Sequence, residues 1–299
     1  MANELSKLRE AELLSEVLSH VKNSSHSLLV IKYGGNAMVE PDLKENFSQD
    51  VALLHSIGLR PIVVHGGGPQ IQAHLKRLGK EEVFFQGLRV TDKETMKVVQ
   101  MVLDGEVNHE IVASVNLFGG KAIGLSGIDG WLIQAEKLCP TSTQSAQPVD
   151  IGQVGKVINI NIQFLLELVK IGLIPVISPI GMGGSGEFFN INADTVASEI
   201  ASTIKANKLI ILTNTPGVLD QKGNVISCLT PSQIHQLTKE GVLCGGMIPK
   251  VHAALEAVQK GKMAVHIIDG RVPHALLLEL FTHSRVGTVI LPYDEGEEI

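Results

Sequence analysis

The chain has 299 residues, 44% of them hydrophobic, with a mean hydropathy of +0.21, which excludes disorder as its main state and lets it bury about three quarters of its unfolded surface. Its 25 Lys+Arg stand against 31 Asp+Glu, a net charge of −6, so bulk charge gives no ground for a nucleic-acid or anionic-membrane partner. Low aromatic content (4%, one Trp) beside 30 glycines counts against base-stacking platforms and for tight backbone turns around a small ligand.

At the amino end, Leu5, Leu8, Ala11, Leu14, Val17, Leu18 and Val21 recur every three or four residues opposite a charged face and predict an amphipathic helix over Leu5–Val21. It either folds back on its own domain or packs against another subunit. Glu4, Glu10, Glu12 and Glu16 in this stretch are foreign to secretory or transit peptides. After the polar linker Asn23–Ser27, short β-branched runs alternate with stretches of helical period, the pattern of βαβ units on a mainly parallel sheet. Strands are predicted at Leu28–Lys32, Pro61–His65, Ala122–Leu125, Ile174–Ser178, Leu209–Thr213 and Ala264–Asp269. Helices are predicted at Leu43–Ile57, Pro69–Leu78, Thr95–Leu117, Ile162–Lys170, Asp194–Ile204, Pro231–Thr238 and Ile248–Gln259. Several strands are continuous apolar runs, so helices should cover both of their faces. Hairpin signals at Asp129-Gly130, around Asp150–Gly155 and at Lys222-Gly223-Asn224 suggest antiparallel additions at an edge. Asp294–Glu298 is a short acidic end, and no apolar run reaches the roughly 18 residues that span a bilayer. Cys139, Cys228 and Cys244 have no metal-type spacing, and so sparse a set points to a reducing compartment, the cytoplasm.

Two glycine turns directly follow predicted strands: Lys32-Tyr33-Gly34-Gly35 and His65-Gly66-Gly67-Gly68-Pro69. Glycines at the carboxyl end of a parallel strand let backbone N–H groups approach an anion, and Pro69 suits the first turn of a helix whose amino end adds positive potential. One such loop is as readily an ordinary turn; two, one of them bearing Lys32, point to an anion site. Arg89, in Gly87-Leu88-Arg89-Val90-Thr91-Asp92, precedes a helix capped by Thr91 or Asp92 and is either a fork for a substrate carboxylate or half of a surface ion pair. Gly181-Met182-Gly183-Gly184-Ser185-Gly186 matches the dinucleotide fingerprint in letters, but Glu187-Phe188-Phe189-Asn190 follows where a helix should open. In Asn190-Ile191-Asn192-Ala193-Asp194, Asn192 can cap a helix with Asp194 in its first turn, as structure alone or as a site for substrate and charge. Gly245-Gly246-Met247-Ile248-Pro249-Lys250 sets a lysine at a helix amino end, against the macrodipole, and such a broken local rule marks a functional residue. The eleven histidines lack metal-ligand spacing, and no nucleophile elbow or activated cysteine is present.

Lys-x-Gly-Gly, His-Gly-Gly-Gly-Pro, Gly-Leu-Arg-Val-Thr-Asp, Asn-Ile-Asn-Ala-Asp, Leu-Thr-Asn-Thr-Pro-Gly-Val-Leu and Gly-Gly-Met-Ile-Pro-Lys, in this order, closely resemble the N-acetylglutamate kinases of the amino acid kinase superfamily, over about Leu28 to Ile290. The resemblance implies an α/β fold, a three-layer αβα sandwich on an open, mainly parallel sheet, with an N-terminal helix at 1–25, an acetylglutamate-binding lobe at 26–204 and an ATP-binding lobe at 205–299. It implies that Lys32 and Lys250 stabilise the transferring phosphoryl group and that Asp194 holds both. By the same resemblance Gly67, Gly68, Arg89, Asn190 and Asn192 bind acetylglutamate, with Arg89 on its α-carboxylate. Gly34 and Gly35 would donate N–H groups to the phosphates, Thr213, Asn214, Gly217, Val218 and Leu219 would lie by the base and ribose, and Gly246 would also bind ATP. Asn214 departs from the Asp that many relatives carry. The implied cofactor is Mg²⁺ arriving with ATP, with no metal held by the protein itself.

Relatives with an N-terminal extension are similar to the arginine-inhibited type, in which such helices interlace three dimers into a hexamer; His266, Glu279 and Gly287-Thr288 would line the arginine site. Some relatives in photosynthetic organisms bind a PII-type signalling protein, for which this sequence shows no motif. The competing readings are a sister kinase acting on aspartate, glutamate, carbamate or a nucleotide, a nicotinamide-dependent dehydrogenase resting on Gly181–Gly186, and a silent arginine-sensing scaffold.

Overall fold

The computed structural model describes residues 15, 17–19, 21–22, 26–141, 147–243, 246–282 and 286–293. An eight-stranded sheet runs through its centre in the order β12-β14-β13-β11-β1-β2-β8-β5. Strands β11 (Lys208–Thr213), β1 (Leu28–Tyr33), β2 (Arg60–His65) and β8 (Ile174–Ser178) lie side by side in it, with β5 (Ala122–Ser126) next at one edge. On the other side lie β13 (Ala264–Asp269), β14 (Gly287–Ile290) and β12 (Cys228–Leu229). All neighbours are parallel except β13 and β14.

Alternate residues of each central strand feed opposite layers. Val30, Ile62, Val64, Ile177, Leu209 and Ile211 pack on one face with helices α5 (Ile162–Lys170), α6 (Ala193–Thr203) and α8 (Met247–Gly261). Leu29, Ile31, Val63, Val176, Ile210 and Leu212 pack on the other with α1 (Pro41–Ser56), α2 (Gly68–Arg77), α3 (Lys93–Gln100) and α4 (Asn108–Leu117). This two-sided cover is why the strands read as unbroken apolar runs. Helix starts follow their local chemistry: Pro69 sits in the first turn of α2, and Asn192 Oδ1 accepts from the N–H groups of Asp194 and Thr195 at the head of α6.

The chain builds β2, β5 and β8 to one side of β1, then crosses to lay β11 and β13 on the other. The order therefore reverses at β1, and a crevice opens beyond the carboxyl ends of β1, β2, β8 and β11, the usual ligand position in such sheets. Both glycine turns leave strands at that edge.

Three details depart from the sequence reading. The helix expected over Thr95–Leu117 is interrupted by a π-helical run, Met101–Val107, between α3 and α4; its cap is Asp92, whose Oδ1 accepts from Thr95 N at 2.8 Å. Asp129-Gly130 closes no hairpin: it lies in a short 3₁₀ turn, with Asp129 accepting from Ser126 N, that carries the chain out of β5 toward β6 (Ile133–Lys137) in a second sheet. Gly181–Gly186 joins β9 (Ile180–Met182) to antiparallel β10 (Phe188–Asn190), so no helix amino end faces a dinucleotide there. By contrast, Lys222-Gly223-Asn224 does turn the chain between the bridged residues Leu219 and Val225, and the Asp150 region leads into β7 (Gly155–Ile160), which pairs antiparallel with β6.

Most of the amphipathic segment Leu5–Val21, together with Cys244, Gly245 and the acidic end Asp294–Glu298, lies outside the described residues. Of that segment, residues 15, 17–19 and 21 are helical, and Val17 and Val21 pack on the α1 side of the sheet. Among the described residues no helix is long and apolar enough to cross a membrane.

Candidate active site

Three charged side chains meet at the reversal point. Lys32 projects from the central strand β1, Asp194 from the first turn of α6, and Lys250 from the first turn of α8. Lys32 Nζ lies 3.2 Å from Asp194 Oδ1 and Lys250 Nζ lies 2.8 Å from Asp194 Oδ2. Lys32 and Asp194 are only 6% and 5% exposed. Burial pushes the Asp194 carboxyl up, but the two ammonium groups outweigh it and hold the acid below the usual carboxylate range. Burial, reinforced by the charge on Lys250, brings Lys32 down despite the attraction of Asp194. The cluster carries one surplus positive charge. It also explains the lysine at a helix amino end, since Asp194 supplies what the helix dipole does not.

Two cavities flank the cluster. The larger, about 420 Å³, is lined by Lys32, Gly35, the loop residues Thr213, Asn214, Thr215, Gly217 and Leu219, and Gly246 and Lys250 at the head of α8. The smaller, about 170 Å³, lies over Gly66–Gly68 and is bounded by Arg89, Leu103, Val154, Asn190, Asn192 and Ala193. Asn192 and Ala193 immediately precede Asp194, so the charged cluster stands between the two spaces. The β1 turn is suited to glycine: a Cβ on Gly34 would push the Lys32 ammonium from its place beside Asp194, and Gly35 sits at φ +75, where a Cβ would also meet Asn214 Oδ1.

Arg89 reaches the smaller cavity from β4 (Leu88–Arg89), which pairs with β3 (Phe84–Phe85) across Gln86-Gly87, both at positive φ. Its guanidinium contacts Glu82 and the Gly68 carbonyl and stacks on Phe84, so an ion pair is present, but a largely buried one beside the cavity rather than one on the open surface. Burial pulls it down to about 10, leaving it charged at neutral pH. Asn190 Nδ2 donates to Thr91 Oγ1 at 3.1 Å, while the Asn192 carbonyl is committed to capping α6. Val218 departs from the expected set. Its side chain is buried in the core and its N–H donates to Thr288 Oγ1, so only its neighbours Gly217 and Leu219 line the larger cavity.

His266, Glu279 and Gly287 line neither cavity. Glu279 accepts from His266 Nδ1 at 2.7 Å and from Val286 N at 2.9 Å. Burial raises its pKa, but these two donors hold it below the ordinary carboxylate range.

Two further residues of the site, His65 and Asn108, have no role that the motif series assigns. His65, fully buried beneath the second glycine turn, places Nδ1 2.8 Å from Gly66 O and Nε2 3.1 Å from Asn108 Nδ2. A neutral ring protonated on Nδ1 satisfies both contacts. Asn108 Nδ2 also donates to Val176 O at 2.9 Å, tying the turn to β8. A histidine before glycines and an asparagine inside a helix carry no pattern that would have flagged them.

The sequence of residues 27–269 matches the family model described as "Amino acid kinase family". The chain is 51% identical over 289 residues to the acetylglutamate kinase of Neisseria meningitidis serogroup C, covering 97% of each, and 52% identical over 291 residues to that of Methylobacillus flagellatus, covering 97% and 99%. The chain belongs to the amino acid kinase family, among its acetylglutamate kinases. The fold of this kinase is shared with N-acetylglutamate synthase from Neisseria gonorrhoeae, solved with coenzyme A and N-acetyl-glutamate, at a TM-score of 0.84 and 21% identity. That match takes in 95% of this chain and 64% of the longer synthase chain.

Burial lowers the pKa of His65 to about 4 from its ordinary 6.5. Between those values the unfolded chain binds the proton that the folded kinase refuses, so stability is present above 6.5 and drains away toward 4. Urea unfolding should show this residue costing about 3 kcal/mol across that window, with the corresponding part of the pH slope missing in His65→Asn. Equal slopes in the two proteins would contradict the buried neutral ring.

Proposed function

We propose that this kinase transfers the γ-phosphoryl group of ATP to the side-chain carboxylate of N-acetyl-L-glutamate, giving N-acetylglutamyl 5-phosphate and ADP in arginine biosynthesis. The observation that carries the reading is the Lys32–Asp194–Lys250 cluster between a larger cavity of nucleotide size and a smaller one of amino-acid size. The larger cavity is lined mainly by residues after 205 and the smaller by residues before 204, which supports an ATP-binding lobe at 205–299 and an acetylglutamate-binding lobe at 26–204. The sparse cysteines support a cytoplasmic location.

The acceptor carboxylate is already an anion, so no general base is required. One of its oxygens forms a bond to the γ-phosphorus while the bond to the β–γ bridging oxygen breaks, and ADP leaves with that electron pair. The protein has to align the two substrates and cancel charge on the transferring oxygens. Lys32 and Lys250 supply the cations; the Gly34-Gly35 and Gly66–Gly68 turns bring backbone N–H groups to the same place. Arg89 takes the α-carboxylate of acetylglutamate, and Gly67, Gly68, Asn190 and Asn192 line its cavity. Gly35, Thr213, Asn214, Gly217, Leu219 and Gly246 surround the nucleotide. The one carboxylate of the cluster is committed to two lysines, and no metal-binding group of His, Cys, Asp and Glu occurs among the described residues. In this reading Mg²⁺ would arrive with ATP, held mostly by phosphates and water.

Arginine is the proposed feedback inhibitor, acting in a hexamer assembled through residues 1–25. His266, Glu279 and Gly287 form its site: a guanidinium needs a carboxylate that stays charged when buried, as Glu279 does. Thr288, next to Gly287, holds Val218 N at 2.8 Å and so ties this region to the loop along the larger cavity.

ADP release measured side by side with acetylglutamate, glutamate and aspartate tests the acceptor: acetylglutamate should be strongly preferred, and equal or better turnover of another acceptor would overturn it. In the same assay Lys32→Ala and Lys250→Ala should each lower kcat by about 100-fold or more while changing KM for acetylglutamate far less; near-normal kcat in both would remove their roles. Deleting residues 1–25 should give dimers with weakened arginine inhibition, whereas a truncated protein that remains hexameric would refute the assembly role.

A further inference from the structure

Among the described residues Arg89 is the one cation lining the smaller cavity, and an arginine side chain loses much rotamer freedom when held still. Three contacts fix it. Glu82 pairs with Nη1, the Gly68 carbonyl lies 3.4 Å from Nη2, and the Phe84 ring lies 5.0 Å beneath the guanidinium carbon. The ring contact follows from the β3–β4 register, which sets Phe84 directly opposite Arg89. Glu82 approaches from outside. It borders an open surface groove with Gln72, Lys76 and Lys80 and does not line the cavity, whereas Phe84 borders both spaces. The side chains of Arg89 and Glu82 are only 9% and 12% exposed, so each leaves the other with a poorly solvated charge if removed. Lys80 offers Glu82 no ready substitute, being already bound to Asp92 at 2.6 Å and to Glu94 at 3.3 Å.

We propose that Glu82 is a positioning residue for acceptor binding: from behind the cavity wall it holds the Arg89 fork toward the place where a substrate carboxylate docks. The inference rests on the reading of the smaller cavity as the acceptor site. With Glu82 present, the guanidinium is pinned on one edge and presents its remaining donors to the cavity. Without it, the neighbouring groove gives the cation a path to water, and the acceptor must first draw it back into the cavity, which weakens binding. Glu82 touches neither substrate, so its effect passes through Arg89 alone.

A steady-state double-mutant cycle on the full chain tests this, with Glu82→Ala, Arg89→Ala and the pair, varying acetylglutamate at saturating MgATP. Arg89→Ala and Glu82→Ala should each raise KM for acetylglutamate about tenfold or more with kcat and KM for ATP little changed, and the double variant should be no worse than Arg89→Ala alone. Glu82→Gln, which keeps an acceptor oxygen without the charge, should fall between wild type and Glu82→Ala. Additive losses, or a fall in kcat matching the rise in KM, would mean that Glu82 merely supports the hairpin and would overturn the proposal. A KM below wild type in Glu82→Gln would overturn it too, since the carboxylate would then be repelling the acceptor. An unchanged KM in Arg89→Ala would sink the acceptor-site reading itself, whereas a raised KM there with a normal Glu82→Ala would sink only the role of Glu82.

Discussion

A carboxylate sealed inside a protein stays ionised only if opposite charge stands beside it. Asp194 has two such partners, which arrive from different parts of the chain: Lys32 at the carboxyl end of the central strand and Lys250 at the amino end of α8. Much of the architecture follows from bringing these three together. Helices α6 and α8 must lie on the same face as neighbours, and β1 must be central so that Lys32 meets them at the crevice. A side chain on the residue after Tyr33 would displace the Lys32 ammonium from this group. The resulting group of two cations and one anion is buried, poorly hydrated and positively charged, which suits it to oxygens that gain charge during phosphoryl transfer.

The smaller cavity, the proposed acceptor site, is built differently, with neutral hydrogen bonds doing the fixing. His65 holds the carbonyl of Gly66, Asn108 links that histidine to β8, and Thr91 steadies Asn190 across the cavity. The π-helical run sends Leu103 and Val107 up against Gly67, so the glycine turn rests on a packed apolar wall. Charge enters this wall only through Arg89, itself neutralised from outside by Glu82. A net chain charge of −6 is thus compatible with binding two anionic substrates, because a few local cations set the field where the substrates sit.

The sheet was legible in the sequence along its longer strands covered on both faces, as at Val30-Ile31 and Ile62–Val64, because two-sided burial leaves a continuous apolar run; the four-residue β14, buried throughout, is too short to show one. Pro69 and Asn192 announced their helices through chemistry that is local to one turn. The π-helical run was not legible: over seven residues the apolar spacing of Met101–Val107 does not separate its period from that of an α-helix. Nor did the sequence reveal the sheet of β6, β7, β9 and β10, whose glycine-rich β9–β10 connection mimics a nucleotide fingerprint. Motif order led to the cluster of Lys32, Asp194 and Lys250, but it could not separate side chains within a motif. Val218 belongs to the run that borders the larger cavity yet turns into the core, and Asn192 commits its carbonyl to a helix cap. Glu82 sits in a charged loop with no pattern, and only the fold brings it to Arg89.

In the proposed mechanism, phosphoryl transfer depends most on Asp194 holding both lysines in place. Asparagine has nearly the same shape but no charge, so in Asp194→Asn the buried Lys32 would lose its counter-ion and both ammonium groups their common anchor. With saturating MgATP and acetylglutamate, kcat of this variant should fall by about 100-fold or more while circular dichroism and the unfolding midpoint report an intact fold. A folded Asp194→Asn protein with kcat within a few-fold of wild type would contradict the central role of the cluster.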